Sequence, residues 1–202
     1  MNSAPLYGLV LAGGASKRMQ RDKTSLVYHD RPQLELAFEL LQQYCEAVWI
    51  SVRKDQTGES GRARFPQIVD EPGVSGPLAG ISAAQKAFPE SAWLVLACDL
   101  PYVESGLFAL LILHRDTRTA ATAFRSAHDG LPEPLCAIWE PASAPLVEAW
   151  LAQDRHCPRR LLSAIDTTLL ELPQGSALDN INTPAERDAA LRALRNPSRK
   201  SG

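Results

Sequence analysis

Leu6-Tyr7-Gly8-Leu9-Val10-Leu11-Ala12-Gly13-Gly14-Ala15-Ser16-Lys17-Arg18-Met19 is the stretch on which the fold turns. The apolar run Leu6–Ala12 reads as a buried strand, and it stops at two glycines followed at once by polar and basic residues. In an open α/β sheet, such a strand-to-helix junction lies at the carboxyl edge, where ligands bind. Adjacent glycines let the backbone come close to a ligand and turn successive N–H groups toward an anion. Lys17, Arg18, Arg21 and Lys23 then place four of the chain's 21 Lys+Arg residues within one short segment. The stretch reads as a phosphate cradle or, more plainly, as a tight turn with solvated basic residues. It is not a Walker A loop, because no glycine precedes Lys23-Thr24 in the required register. Nor is it a G-x-G-x-x-G fingerprint.

Outward from this stretch, the sequence alternates between two textures. Further β-rich runs are Ala47–Val52, Gln67–Val69, Trp93–Ala97, Thr119–Phe124 and Leu135–Trp139. Between them lie helical stripes: Leu34 to Leu41 after Pro32, then Leu78–Phe88, Gly106–Leu113, Ala142–Ala152, Arg160–Ile165 and Pro184–Leu194. Strands alternating with helices predict βαβ units and a mostly parallel central sheet with helices on both faces, a single Rossmann-like α/β domain. The unbroken run Trp93-Leu94-Val95-Leu96-Ala97 fits a strand covered on both sides. Residues 53–66 and 125–134 read as loops. Residues 1–195 are expected to form the one domain, and residues 196–202 a disordered tail.

The composition narrows the function. The chain has 202 residues, a formal net charge of −2, 45% hydrophobic and 22% charged residues. That balance belongs to an ordinary soluble domain and argues against a nucleic-acid surface built on bulk positive charge. No apolar stretch reaches the roughly 18 residues of a membrane span. The first residues lack a basic segment, so no secretory signal and a cytoplasmic location are expected. Cys45, Cys98, Cys136 and Cys157 form no Cys-x-x-Cys pair and read as thiols buried as small hydrophobes in a reducing compartment. The four histidines, His29, His114, His128 and His156, read as surface residues.

Asp99 follows the run Trp93–Ala97 directly, in Cys98-Asp99-Leu100-Pro101. A carboxylate there lies at the same sheet edge as Gly13-Gly14 and suits Mg²⁺, which takes oxygen ligands together with substrate phosphates. The bland alternative is a helix cap, which Pro101 and Tyr102 disfavour by separating Asp99 from the next helical stripe. Asp70-Glu71-Pro72 ends another strand at this edge. Gly76-Pro77-Leu78-Ala79-Gly80 opens a helix as a rigid turn with free N–H donors, suited to a base or ribose, or as a mere loop. Near the end, Thr183, Pro184 and Glu186 make a helix start. That leaves the asparagines of Asn180-Ile181-Asn182 without a capping role.

Taken together, these segments resemble the molybdenum cofactor guanylyltransferases, nucleotidyltransferases of the glycosyltransferase-A-like class. Their signature reads L-A-G-G-x-S-x-R-M-G-x-D-K-x-x-L, and here Leu11-Ala12-Gly13-Gly14-Ala15-Ser16-Lys17-Arg18-Met19-Gln20-Arg21-Asp22-Lys23-Thr24-Ser25-Leu26 follows it. Asp70, Gly76–Gly80, Cys98–Pro101 and Asn180–Pro184 continue the resemblance in family order. One position departs: Gln20 stands where the family has glycine.

The resemblance implies that the terminal phosphate of molybdopterin attacks the α-phosphorus of GTP and releases pyrophosphate. It implies Arg18, Lys23 and Asp99 as catalytic residues, with Mg²⁺ on Asp99. It implies nucleotide contacts from Leu11, Ala12, Gly13, Gly14, Ala15, Ser16, Lys23, Asp70, Gly76, Pro77, Leu78 and Asp99. Asn180 and Asn182, and the basic pair Arg159-Arg160, would meet the acceptor, the pair being otherwise a solvated first turn of a helix. Cofactor-insertion proteins and apo-molybdoenzymes are the implied protein partners, with no nucleic acid and no membrane. The alternatives are a cytidylyltransferase or other nucleotidyltransferase of the same fold, or a non-catalytic protein that binds and delivers nucleotide or cofactor. Ala12-Gly13-Gly14 with Asp22-Lys23 favours guanine over the Ala-Ala-Gly pattern of cytidylyl relatives.

Overall fold

The computed structural model describes residues 3–13, 31–173 and 177–179, and the backbone alone of residues 27–28. The expected helix Pro184–Leu194, the tail 196–202 and His29 lie outside the described residues. The elements in chain order are β1 (Leu6–Leu11), β2 (Val27–Tyr28), β3 (Arg31–Pro32), α1 (Gln33–Gln42), β4 (Ala47–Val52) and β5 (Gln67–Val69). There follow α2 (Pro77–Ala87), β6 (Ala92–Ala97), α3 (Ser105–Leu113), β7 (Ala121–Arg125), β8 (Pro132–Trp139), α4 (Ala144–Leu151), α5 (Pro158–Leu162) and β9 (Thr167–Glu171).

Seven of these strands form one sheet in the order β5-β4-β1-β6-β8-β7-β9, while β2 and β3 pair with each other. Strands β5, β4, β1 and β6 run parallel. β8 runs antiparallel to both of its neighbours, β6 and β7, and β9 is parallel to β7. The sheet is therefore mostly parallel, as expected, with one reversed strand. Every strand except β8 delivers its last residue to the same edge, and β8 starts there.

Strand residues alternate between two cores, as the two-residue period of a strand requires. Val10, Ile50, Leu94, Leu96 and Ile138 pack with Leu34 and Leu41 of α1 and Leu107, Phe108 and Leu111 of α3. Leu9, Trp93, Val95, Ala137 and Trp139 pack with Leu78 and Ile81 of α2, Val147 of α4 and Leu161 of α5. The two clusters lie on opposite faces, so helices cover both sides. All six residues of β6 are buried, which is the cause of its unbroken apolar sequence.

Several sequence expectations change. Strand β9 lies in a stretch that the sequence pattern assigns to no element: all but its last residue are half-buried at the sheet edge, so no clean apolar alternation marks it. β8 begins at Pro132, inside the expected loop 125–134. The expected helix over Ala142–Ala152 is a 3₁₀ turn, Pro141–Ser143, followed by α4, and α5 ends at Leu162 rather than Ile165. Residues 53–66 include a 3₁₀ turn at Lys54–Gln56 and one fully buried arginine, Arg62. Among the cysteines, Cys98 and Cys136 are buried, Cys45 is half-buried with its thiol pushed up to about 12 by desolvation, and Cys157 is exposed. His114 and His128 are exposed, and His156 is half-buried.

Candidate active site

The carboxyl edge of the parallel strands opens into a cleft of about 620 Å³, within the size of small-molecule sites. Its described lining includes Leu11 at the end of β1, Ala12 and Gly13 just after it, Asp70 after β5, Gly76 and Pro77 at the start of α2, and Asp99 after β6. Seven of the sequence-derived nucleotide residues therefore meet in one place. Leu78 does not join them: it is fully buried against the sheet and does not line the cleft. Gly14, Ala15, Ser16, Arg18, Lys23, Gln20, Asn180 and Asn182 lie outside the described residues.

The strands hold these groups through regular backbone pairing that runs on past their ends. Ala12 N–H donates to Ser51 O at 3.1 Å, Asp70 N–H to Val52 O at 2.8 Å, and Cys98 N–H to Leu11 O at 3.4 Å. Gly76 has φ +75° as the residue that caps α2, a conformation that side-chain-bearing residues adopt with strain. Pro77 follows at the first helical position, where its missing N–H costs nothing.

Gly13 is required by a close approach. A Cβ on it would lie 2.6 Å from Oδ2 of Asp70. The Asp70 carboxylate thus occupies the space above the first glycine of the loop. Its other oxygen accepts a hydrogen bond from Ser51 Oγ. Burial raises the Asp70 pKa above the ordinary carboxylate value, outweighing the Ser51 hydrogen bond and the attraction of Arg53. A desolvated carboxylate facing a ligand cleft is a mark of a functional position.

Sequence reading missed three contributors, Ser51, Arg53 and Arg62. Arg53 lines the cleft, donates from Nη1 to Gly13 O at 3.1 Å, and makes a forked pair with Asp55 at 3.1 and 3.2 Å. Arg62 donates from Nη2 to Ala12 O at 3.1 Å and is ion-paired with Glu59. Nothing local in the sequence distinguishes these arginines from solvated ones. The only hint is Ser51 itself, a polar residue inside the apolar run Ala47–Val52.

A second hollow of about 200 Å³ adjoins the cleft through Leu135 and is lined by Leu100, Glu133, Pro134, Cys136, Arg159 and Leu178. Arg159 sits in the first turn of α5 and forms ion pairs with Asp129 at 2.9 Å and Glu133 at 2.7 Å. Arg160 is exposed and does not line the hollow. Of the basic pair, one member faces a cavity and one faces solvent. Beside this hollow, His128 Nε2 and Asp179 Oδ1 are 2.7 Å apart, which ties the 126–131 loop to the segment that leads into Asn180.

Among the described residues, no group of three His, Cys, Asp or Glu side chains could hold a metal, and no helix is long and apolar enough to cross a membrane. The cleft offers half-buried Asp99 and Asp70. One or two carboxylates that share a cation with substrate phosphates is the donor set that suits Mg²⁺.

Comparison with known proteins gives a consistent result. The chain is 34% identical to the molybdenum cofactor biosynthesis bifunctional protein of Synechocystis sp., over 92% of this chain and 54% of that protein. It thus spans about half the length of that relative. It is 31% identical to the molybdenum cofactor guanylyltransferase of Rhizobium johnstonii, over 96% of this chain and 97% of that one. The crystal structure of molybdopterin-guanine dinucleotide biosynthesis protein A from Archaeoglobus fulgidus shares the fold. Its TM-score is 0.79 at 22% identity, covering 94% of this chain and 99% of that one. Residues 8–169 match the model of the MobA-like NTP transferase domain, and the chain belongs to that family of nucleotidyltransferases.

Proposed function

We propose that this protein transfers GMP from GTP to the terminal phosphate of molybdopterin, with release of pyrophosphate. An oxygen of the acceptor phosphate bonds to the α-phosphorus, and the bond from that phosphorus to the bridging oxygen of the β-phosphate breaks. The observation that carries the reading is the convergence of Gly13, Asp70, Gly76-Pro77 and Asp99 on one cleft. The guanylyltransferase relatives that match nearly the whole chain support guanine as the base.

In this reading the protein supplies position and charge rather than a nucleophile, because the acceptor phosphate is already anionic. Backbone N–H groups from Gly13 onward hold the triphosphate together with Arg18 and Lys23. Asp70 and the Gly76-Pro77 turn bracket the nucleoside. Asp99 would hold Mg²⁺, which would neutralise phosphate charge. The acceptor lies on the side of the adjoining hollow, where Arg159 is aimed and Leu178 leads into Asn180 and Asn182. Arg159, held between Asp129 and Glu133, meets the acceptor phosphate as a fixed rather than a searching cation.

The test is incubation with molybdopterin, GTP and Mg²⁺ and mass detection of the guanine dinucleotide. GTP with Mg²⁺ is expected to raise the melting temperature more than CTP or ATP does. Equal shifts for the three nucleotides overturn the base assignment. A GTP-specific shift without product turns the reading toward a delivery protein.

A further inference from the structure

We propose that Arg62 is a positioning residue for the nucleotide, setting the peptide plane from which the glycine loop begins. The inference rests on the reading of the cleft as a nucleotide site. Arg62 is 1% exposed, one of the largest fully buried side chains among the described residues, and it does not line the cleft. Its guanidinium reaches back 50 residues to hold the carbonyl of Ala12. Glu59, its ion-pair partner, is 43% exposed on its side chain. Burying a cation is unfavourable, and apolar residues of similar size commonly serve stability as well or better. What an apolar residue lacks is a grip on a carbonyl.

That grip has a directional consequence. There is no cis peptide among the described residues, so the N–H of Gly13 points opposite to the Ala12 carbonyl. With the carbonyl turned toward buried Arg62, the Gly13 N–H is turned away from Arg62, and Gly13 is a cleft residue. A cation on the carbonyl also polarises the peptide and makes its N–H a stronger donor to an anion. Arg53 holds the next carbonyl, that of Gly13, from within the cleft. Two successive carbonyls are thus fixed by two arginines at the point where the chain enters its glycine loop.

Arg115 serves as an internal control. It is half-buried, with 11% of its side chain exposed, donates to a backbone carbonyl (Ala4, 3.0 Å) and likewise pairs with a carboxylate, Glu140, but it does so at the opposite end of β1. The experiment compares Arg62→Met, Arg62→Lys and Arg115→Lys in the full chain. The readouts are melting temperature, the affinity for GTP with Mg²⁺, and KM against kcat in the transfer reaction. Arg62→Met is expected to weaken GTP about tenfold while KM for molybdopterin stays within twofold. Arg62→Lys is expected to recover part of the loss, because it keeps the charge without the planar fork. Arg115→Lys lowers the melting temperature alone. A folded Arg62→Met whose GTP affinity matches wild type overturns the proposal, as does an equal affinity loss in Arg115→Lys. Should Arg62→Met fail to fold, Glu59→Gln decides. About a threefold loss of GTP affinity supports the proposal, and no loss overturns it. Wild-type protein that binds GTP without transferring it, with the binding weakened in Arg62→Met, overturns the enzyme reading and keeps this one. Wild type that binds no nucleotide overturns both.

Discussion

At its first end β1 is held through Ala4, whose carbonyl accepts from Arg115; at its last end it is held through Ala12, whose carbonyl accepts from Arg62. Around Arg115 the structure is closed. Glu140, 2% exposed on its side chain, takes both of its donors at 2.6 and 2.9 Å. Along the neighbouring strands, Tyr7, Trp49 and Trp93 stack with Phe88, with ring centroids 4.6 to 5.9 Å apart. Around Ala12 and Gly13 the structure is open, with a cleft lined by Asp70, Asp99 and Ser51. The same device, an ion-paired arginine on a strand-end carbonyl, serves packing at one end and leaves backbone and carboxylates addressable at the other. Substitutions at the closed end should therefore cost stability and spare chemistry, and substitutions at the open end should do the reverse.

The largest effect expected at the open end is that of Asp99→Ala. Loss of the carboxylate proposed to share a cation with the phosphates should lower kcat/KM for GTP about a thousandfold, roughly 4 kcal/mol of transition-state stabilisation. The melting temperature should stay within a few degrees. A variant that keeps wild-type turnover removes the cleft from the chemistry altogether. At the closed end the counterpart is Glu140→Ala, which strands the half-buried Arg115 without its buried carboxylate partner. Breaking such a pair costs about 3–5 kcal/mol, which in a domain of this size is a drop of about 10 °C in thermal melting. The folded fraction should turn over GTP normally. Altered KM in this variant breaks the division between the two ends.

Gly13→Ala is expected to have a smaller effect. Its Cβ would meet the Asp70 carboxylate at 2.6 Å, so that either the loop or Asp70 must shift. GTP affinity should fall about tenfold by calorimetry. Gly106→Ala is the contrast, since nothing lies within 4 Å of its Cβ and the site is an exposed helical position. That variant should leave affinity unchanged and gain about 0.5–1 kcal/mol of stability from helix propensity.

The open end was legible in the sequence where its parts are contiguous. Gly13 follows an apolar strand, Asp99 follows another, and Gly76-Pro77 announces a helix start, so local pattern alone brings them to one sheet edge. Ser51, Arg53 and Arg62 were not legible, because their partners are remote. Ser51 meets Asp70 across 19 residues, Arg53 meets Gly13 across 40, and Arg62 meets Ala12 across 50. A polar segment such as 53–66 reads as a solvated loop whether its arginines point outward or back under the sheet. Strand β9 escaped for a related reason. Its residues Thr167–Glu171 pair with β7 at the sheet edge and are covered on neither face well enough to demand an apolar pattern.

Asp70→Asn gives the smallest effect and tests the division at its most exposed point. Burial raises the Asp70 pKa in the folded protein above the ordinary aspartate value of 3.8. The unfolded chain gives up that proton more readily than the folded one does. Stability from this group is therefore fully present below about pH 3.8 and is lost as the pH rises through the raised folded value. At neutral pH the charged, desolvated carboxylate is a liability to the fold, kept for the site it faces. Asparagine keeps the oxygen that accepts from Ser51 and removes the charge. Asp70→Asn is expected to melt about 1–3 °C above wild type at pH 7, with weakened GTP binding. The difference in melting temperature should shrink as the pH is lowered through the folded-state pKa, since protonation makes wild type resemble the variant. A variant that melts below wild type at every pH would show that Ser51 and Arg53 over-compensate burial. The open end would then be as well satisfied as the closed one.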